Sequence, residues 1–136
     1  MGYETGFEGQ IDFDKPLTKK HCETLIEFTE SWIQDEESEE ERVSDGRPSP
    51  FPCHWHPGIK GKPVIKARKG CDCLVFGFNN KFPYYEEWLI FLVEKIKLWG
   101  YVLNGEIDWY GDDEDDLGTM YVKDNEFNSV PWKGEP

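Results

Sequence analysis

The residues best suited to chemistry are cysteines and histidines in the middle of the chain. Cys53, His54 and His56 stand in one short segment, and Cys71 and Cys73 stand in a later one. Thiolate and imidazole groups are the usual ligands of zinc. Alternate residues of a strand share a face, so Cys71 and Cys73 point to one side, and a paired strand would bring either Cys53 or His56 to them. The pattern therefore allows a zinc site at these four residues.

The same residues have a simpler interpretation. Zinc ribbons normally place two cysteines on a tight turn with two residues between them, whereas Cys71 and Cys73 have the spacing of a strand. Buried cysteine otherwise behaves as a small apolar side chain, and the histidines would then be exposed or face a partner. Both interpretations stay open from the sequence.

An acidic run is the second candidate site. It lies between Gly111 and Gly118 and consists of Asp112, Asp113, Glu114, Asp115 and Asp116. Alternate carboxylates can hold calcium, but this run lacks the glycine and the closing glutamate of an EF-hand loop, and its flanks have the pattern of strands. A solvated hairpin tip is the alternative.

Recognisable catalytic motifs are missing from the sequence. The three histidines could be combined with Glu106, Asp108 and a cysteine as acid, base and nucleophile, but no spacing requires that combination. The chain has neither a glycine-rich phosphate loop nor a nucleophile elbow. We therefore expect a protein that is not an enzyme and needs no cofactor.

The charge of the chain favours one class of partner. The net charge is −13, from 28 acidic and 15 basic residues, and eleven of the acids lie in the runs 35–41 and 112–116. Nucleic-acid binding depends on Lys and Arg replacing phosphate counterions, so direct DNA or RNA binding is disfavoured. Charge complementarity favours a basic protein surface, for example that of a nucleic-acid-binding protein. Solubility alone is the other explanation of the charge.

The expected organisation is a single domain over residues 1–136. The chain has no run of about 18 apolar residues and no signal-peptide pattern, so we expect no membrane association, a cytoplasmic location and reduced cysteines. An acidic, proline-rich flexible linker is expected at about 34–50 and a basic hairpin loop at about 57–70.

The elements that would position the candidate residues are organised around the segment Pro83 to Gly118. Apolar residues recur there with helical spacing, which predicts a buried helix from about Tyr84 to Trp99, ending at Gly100. A half-buried strand follows from Tyr101 to Trp109. Its outer side chains, with the acidic run at 112–116, form the predicted partner-binding surface: Asn104, Glu106, Asp108 and Tyr110.

The order of the predicted elements indicates the fold class. A strand at 3–13 precedes a helix capped by Thr18, strands follow at 52–56 and 71–78, and a hairpin closed by Asp124 and Asn125 ends the chain. This order predicts an α+β fold, a ferredoxin-like βαββαβ sandwich with an extra C-terminal strand or hairpin. Two helices would cover one face of the antiparallel sheet. In the first strand, Gly9 is expected to accommodate a bulge or a large neighbour such as Trp109.

Aromatic residues exceed what one core of this size needs. The chain has six Trp, six Tyr and nine Phe, and five of them are predicted at strand edges or opposite the core: Trp55, Trp109, Tyr110, Tyr121 and Trp132. Exposed aromatic side chains beside charges often anchor protein interfaces. The alternative is that most of them pack in the core.

Several motifs resemble those of small acidic bacterial and phage proteins with no assigned activity. They are FEGQIDFDKPLT at 7–18, EEWL at 86–89, WGYVLNGEIDWYG at 99–111, the acidic turn with Asp116 and Gly118, and VKDN at 122–125. Residues 35–70 do not fit this pattern. The resemblance implies a compact α+β domain and carries over no catalytic residue.

Together, these patterns predict an acidic interaction protein, encoded by a phage or mobile element, that binds and inhibits or sequesters a basic protein surface. Nucleic-acid mimicry and an anti-defence or immunity-type role are both consistent with this prediction. A zinc- or thiol-dependent enzyme or sensor and a homo-oligomeric structural module are the alternatives.

Overall fold

The computed structural model describes residues 4–30, 48, 52–77, 82 and 84–132. The elements in chain order are β1 (Thr5–Phe13), α1 (Lys19–Glu30), β2 (Trp55–Ile59), β3 (Lys62–Pro63), β4 (Cys73–Phe76), α2 (Tyr85–Leu98), β5 (Leu103–Gly111), β6 (Leu117–Lys123) and β7 (Glu126–Pro131). The predicted linker lies outside these ranges except for Pro48. Within them, no helix is long and apolar enough to cross a membrane.

All seven strands form one antiparallel sheet in the order β3-β2-β4-β1-β5-β6-β7. The predicted ferredoxin-like βαββαβ sandwich is therefore wrong, because that fold has two helices covering a small sheet. Here β6 and β7 continue the sheet beyond β5, and β3 extends the opposite edge. The described ranges contain two helices for this wide sheet. The content is α and β, as expected, but the sheet dominates.

Local capping and turn signals are confirmed where the sequence placed them. Thr18 caps α1, since its Oγ1 accepts a hydrogen bond from the His21 N–H at 3.2 Å. Asp124 and Asn125 have φ values of 49° and 69° and close the two-residue hairpin between β6 and β7. Two consecutive positive φ values are typical of the type I′ turn that such hairpins favour.

Helix α2 lies at the centre of the fold because it is apolar on more than one side. Its buried side chains are Trp88, Leu89, Leu92, Val93 and Ile96, and Tyr85, Phe91 and Trp99 are half-buried. The helix contacts both β2 and β7, which lie far apart in the sheet order. The sheet must therefore curve around α2. Gly100, with φ 97°, follows the C-cap residue Trp99, as predicted.

The two faces of the sheet have different roles. The registers place Ile11, Leu103, Ile107, Met120 and Val122 on one face, and these side chains join those of both helices in the hydrophobic core. The opposite side chains of β1, β5, β6 and β7 are mostly polar. We call this second surface the open face. It consists of Gly6, Glu8, Gln10, Asp12, Asn104, Glu106, Asp108, Tyr110, Leu117, Thr119, Tyr121, Lys123, Glu126, Asn128 and Val130.

Two core tryptophans differ in their hydrogen bonding. Trp55 is fully buried, and its Nε1–H donates to the carbonyl of Tyr85 at 2.8 Å. Trp88 is equally buried, but its Nε1 has no partner within the part of the chain that the structure describes. An unpaired buried donor carries a desolvation cost of about 1–3 kcal/mol.

We expect Trp55→Phe to destabilise the protein by about 1–3 kcal/mol more than Trp88→Phe does. Both substitutions remove the same atoms from a fully buried side chain, but the first removes a satisfied hydrogen bond and the second removes an unsatisfied donor. Urea unfolding of the two variants measures the difference in free energy of unfolding. Equal destabilisation would contradict this interpretation.

Candidate functional site

The cysteines and histidines do not form the predicted cluster. Cys71 lies in the core with its Sγ 3.6 Å from that of Cys22, whereas Cys73 lies outside the core cluster. Cys53 is buried, and its Sγ contacts the backbone of Trp55. Among the residues with described positions, no three His, Cys, Asp or Glu side chains are arranged to hold a metal. The geometry thus gives the zinc hypothesis no support, and metal binding stays a prediction.

The thiols are also poorly suited to nucleophilic chemistry. Burial raises the pKa of Cys71 and of Cys73 to about 12, with a further contribution for Cys71 from its contact with Cys22. Burial likewise raises the pKa of Cys53. A catalytic cysteine needs the thiolate at neutral pH. These three side chains instead remain protonated.

The histidines next to this region are partly buried. The His54 ring packs edge-on against Phe82, with centroids 4.8 Å apart. The Nδ1 of His56 lies 3.5 Å from the carbonyl oxygen of Val64. Desolvation lowers the pKa of both rings. For His54, the nearby His56 lowers the pKa further. For His56, the hydrogen bond to Val64 and the charge of Glu30 raise the pKa and partly offset the effect of burial.

We expect the free energy of unfolding to fall as the pH drops from about 7 to about 5. The folded-state pKa of His54 and of His56 lies below the ordinary value of 6.5, so the unfolded chain takes up more protons below that pH. In His54→Gln/His56→Gln this fall should be smaller; some remains, because the pKa of His21 is lowered too. Urea titrations at three pH values test this, and identical pH dependence in both proteins would contradict it.

The predicted residues of β5 do share one surface. Asn104, Glu106, Asp108 and Tyr110 all lie on the open face, and the register sets them beside residues of β1 and β6. Glu8 lies opposite Asp108, which in turn lies opposite Thr119. Gln10 lies opposite Glu106, which lies opposite Tyr121. The open face is thus a ladder of polar side chains across neighbouring strands.

A shallow groove runs over β5, β6 and β7. Its volume is about 750 Å³. Its side-chain lining from the open face is Asn104, Glu106, Tyr121, Lys123, Glu126 and Asn128. The groove is open, its surface is more apolar than polar, and the exposed ring of Tyr121 forms one wall. These properties suit a peptide or protein surface better than a small apolar ligand, which needs an enclosed pocket.

The far end of the open face carries a hydrogen-bonded cluster. The Tyr110 hydroxyl donates to Glu8 Oε1 at 3.2 Å, and the Thr119 hydroxyl donates to Asp108 Oδ1 at 2.7 Å. Trp132 Nε1–H donates to Thr119 Oγ1 at 3.0 Å. Desolvation and the carboxylates of Glu8 and Asp108 raise the pKa of Tyr110.

Two carboxylates of the acidic run beside this cluster accept hydrogen bonds from other parts of the fold. Asp112 Oδ2 accepts the Glu4 N–H at 2.9 Å, and Asp116 Oδ1 accepts the Trp109 Nε1–H at 2.9 Å. The remaining members, Asp113, Glu114 and Asp115, are exposed. The turn therefore adds negative charge next to the open face while two of its carboxylates hold the turn in place.

The β2–β3 hairpin carries two exposed basic residues, Lys60 and Lys62, and pairs with β4 at the edge of the sheet. Cys73 and Val75 are buried although they point away from the helices, since the hairpin bends over them. The backbone of Gly61 forms a hydrogen bond with the Cys73 thiol, and a Cβ at Gly61 would lie 2.9 Å from Gln10 Oε1. The basic loop of the sequence prediction thus contains β3 and covers the β2–β4 part of this side of the sheet.

The sequence prediction missed Glu8, and it placed two aromatic residues wrongly. The alternation of Glu8 and Asp12 with the buried Ile11 and Phe13 was the available signal for an outward-facing Glu8. Trp55 and Trp109, predicted at edges, are buried, while Tyr121 and Trp132 are exposed as predicted. Tyr110 lies opposite Leu117 of β6, and Leu117 in turn accepts the backbone N–H of Trp132 just after β7. The contact between Tyr110 and Trp132 therefore depends on how these three strands pair.

Comparison with known proteins adds no assignment. No family model matches the chain, and no match was found among curated proteins or solved structures. The resemblance to small acidic bacterial and phage proteins therefore stays an interpretation of the motifs.

Proposed function

We propose that the open face binds a basic surface of another protein, so that the chain inhibits or sequesters that partner. The supporting observation is the charge of this face, which carries five carboxylates and one lysine. These residues are Glu8, Asp12, Glu106, Asp108, Glu126 and Lys123. Such a surface attracts a cationic partner and repels nucleic acids.

The shape of the face supports a protein partner. The groove of about 750 Å³ and the exposed rings of Tyr121 and Trp132 supply apolar contact area among the charges. Aromatic residues in such settings commonly anchor interfaces. Two copies of this chain would repel each other through this face, so a different protein is the favoured occupant.

A nucleic-acid-binding protein is the partner class that this surface would inhibit most directly. Its basic surface normally receives phosphates, and the carboxylates of the open face would take their place. This form of the proposal includes an anti-defence or immunity-type role.

The test compares two variants of equal net charge. In the first, Glu8, Glu106 and Asp108 are changed to Gln, Gln and Asn; in the second, Glu23, Glu87 and Glu94 on the helices are changed to Gln. All three residues of the second set are exposed. The partner is captured from the source cells with the unmodified protein, purified and titrated against all three proteins at low and high salt.

We expect the open-face variant to bind at least about 10-fold more weakly and the helix variant to bind within about 2-fold of the unmodified protein. The affinity of the unmodified protein should also fall steeply as salt rises. Equal weakening by both variants, or affinity independent of salt, would refute the proposal.

A further inference from the structure

The cluster at the end of the open face combines two aromatic rings with two carboxylates. We call the group of Glu8, Asp108, Tyr110, Thr119 and Trp132 the Tyr110–Trp132 corner. The two rings lie at 86° to each other with centroids 6.0 Å apart. Edge-to-face packing of this kind leaves one ring face available for another contact.

Trp132 is held in position although it is exposed. Its backbone N–H donates to the Leu117 carbonyl at 2.8 Å, and its indole N–H donates to Thr119 Oγ1 at 3.0 Å. The side chain is nevertheless 44% exposed. A large apolar ring fixed at the surface loses little conformational entropy when a ligand binds.

The two carboxylates of the corner lack an internal cation. Glu8 and Asp108 lie directly opposite each other on β1 and β5, an arrangement in which like charges are destabilising. The hydroxyl groups of Tyr110 and Thr119 satisfy one oxygen of each carboxylate. In the described ranges no Lys or Arg pairs with either residue. The corner therefore combines two carboxylates with the partly exposed indole of Trp132, which is linked to Asp108 through Thr119.

We infer that the Tyr110–Trp132 corner binds the guanidinium group of an arginine on the basic partner and prefers arginine to lysine; this inference rests on the proposed function. A guanidinium group is planar, so it stacks on an indole while its N–H groups donate to carboxylates. An ammonium group is a compact, strongly hydrated charge that cannot stack in this way. The corner thus supplies specificity, and the rest of the open face supplies general attraction.

The experiment uses nona-arginine and nona-lysine, which have the same length and charge, and measures their affinities by calorimetry at low salt. We expect the unmodified protein to bind nona-arginine about 5-fold or more tightly than nona-lysine. Trp132→Leu should reduce this ratio to within about 2-fold of equality while leaving the affinity for nona-lysine nearly unchanged. Tyr121→Leu, which removes another exposed ring of the open face, is the matched control and should keep the ratio.

The outcomes separate this inference from the proposed function. Equal affinity of the unmodified protein for both peptides, or a ratio that Trp132→Leu leaves intact, overturns the inference but leaves the basic-partner proposal standing. Failure of both peptides to bind counts against both. Displacement of nona-arginine by equimolar calcium or magnesium would identify a metal site instead. Glu8→Gln, which alters no apolar contact, provides a second variant and should weaken nona-arginine binding.

Discussion

Gly9→Ala is expected to destabilise the protein by about 3–5 kcal/mol, enough to leave a domain of ordinary stability marginally folded. Gly9 has φ 114°, a conformation that residues with a side chain rarely adopt. A Cβ at this position would lie 2.3 Å from the carbonyl oxygen of Glu106 and 3.2 Å from Cα of Ile107. Both atoms belong to the backbone of β5, so neither can rotate away.

Gly6→Ala is the matched control in the same strand. A Cβ at Gly6 would lie 3.9 Å from the Tyr110 carbonyl oxygen, which is an ordinary contact, and the φ of Gly6 is not positive. We expect this substitution to change the free energy of unfolding by less than about 1 kcal/mol. Urea unfolding followed by circular dichroism measures both variants. Similar stability of Gly9→Ala and Gly6→Ala would show that β1 and β5 can separate at little cost.

Periodicity in the sequence predicts individual elements of this fold well. The helical spacing of apolar residues indicated α2, the Thr18 cap indicated α1, and the Asp124–Asn125 turn indicated the final hairpin. Each of these signals depends on residues that are close in the chain. Local chemistry is therefore sufficient to identify them.

The pairing of distant strands could not be predicted in the same way. Alternation tells which face a side chain of β1 occupies, but not that β4 and β5 flank it or that β3, β6 and β7 widen the sheet. For the same reason, Asn104, Glu106, Asp108 and Tyr110 could be assigned to one surface, whereas their neighbours Glu8 and Trp132 come from opposite ends of the chain. The candidate site was thus predictable along β5 and not across the strands.

The glycines show the same limit. The sequence suggested that Gly9 accommodates a bulge or a large neighbour such as Trp109, but the atom nearest to a Cβ at Gly9 is the carbonyl oxygen of Glu106. The glycine that faces Trp109 is Gly118, its partner in the register of β5 and β6. A sequence shows where a glycine stands, but the residue that packs against this glycine is set by the register of the neighbouring strand.

Gly118→Ala is expected to destabilise the protein by about 2–3 kcal/mol because it places a methyl group against the Trp109 indole. A Cβ at Gly118 would lie 2.7 Å from Cζ3 of that ring and still closer to two other ring atoms. The ring cannot shift freely, since its Nε1–H donates to Asp116 Oδ1 at 2.9 Å and the side chain is 7% exposed. The cost thus comes from a defined pair of residues.

A double-mutant cycle tests this attribution. In a Trp109→Leu background the indole is gone, so Gly118→Ala should cost less than about 0.5 kcal/mol, which gives a coupling of about 2 kcal/mol between the two positions. Urea unfolding of the four proteins supplies the cycle. If the effects of the two substitutions on the free energy of unfolding were additive, the requirement for glycine at position 118 would come from the backbone of β6 and not from the indole ring. Trp109 would then not determine how closely β5 and β6 pack beside the acidic turn.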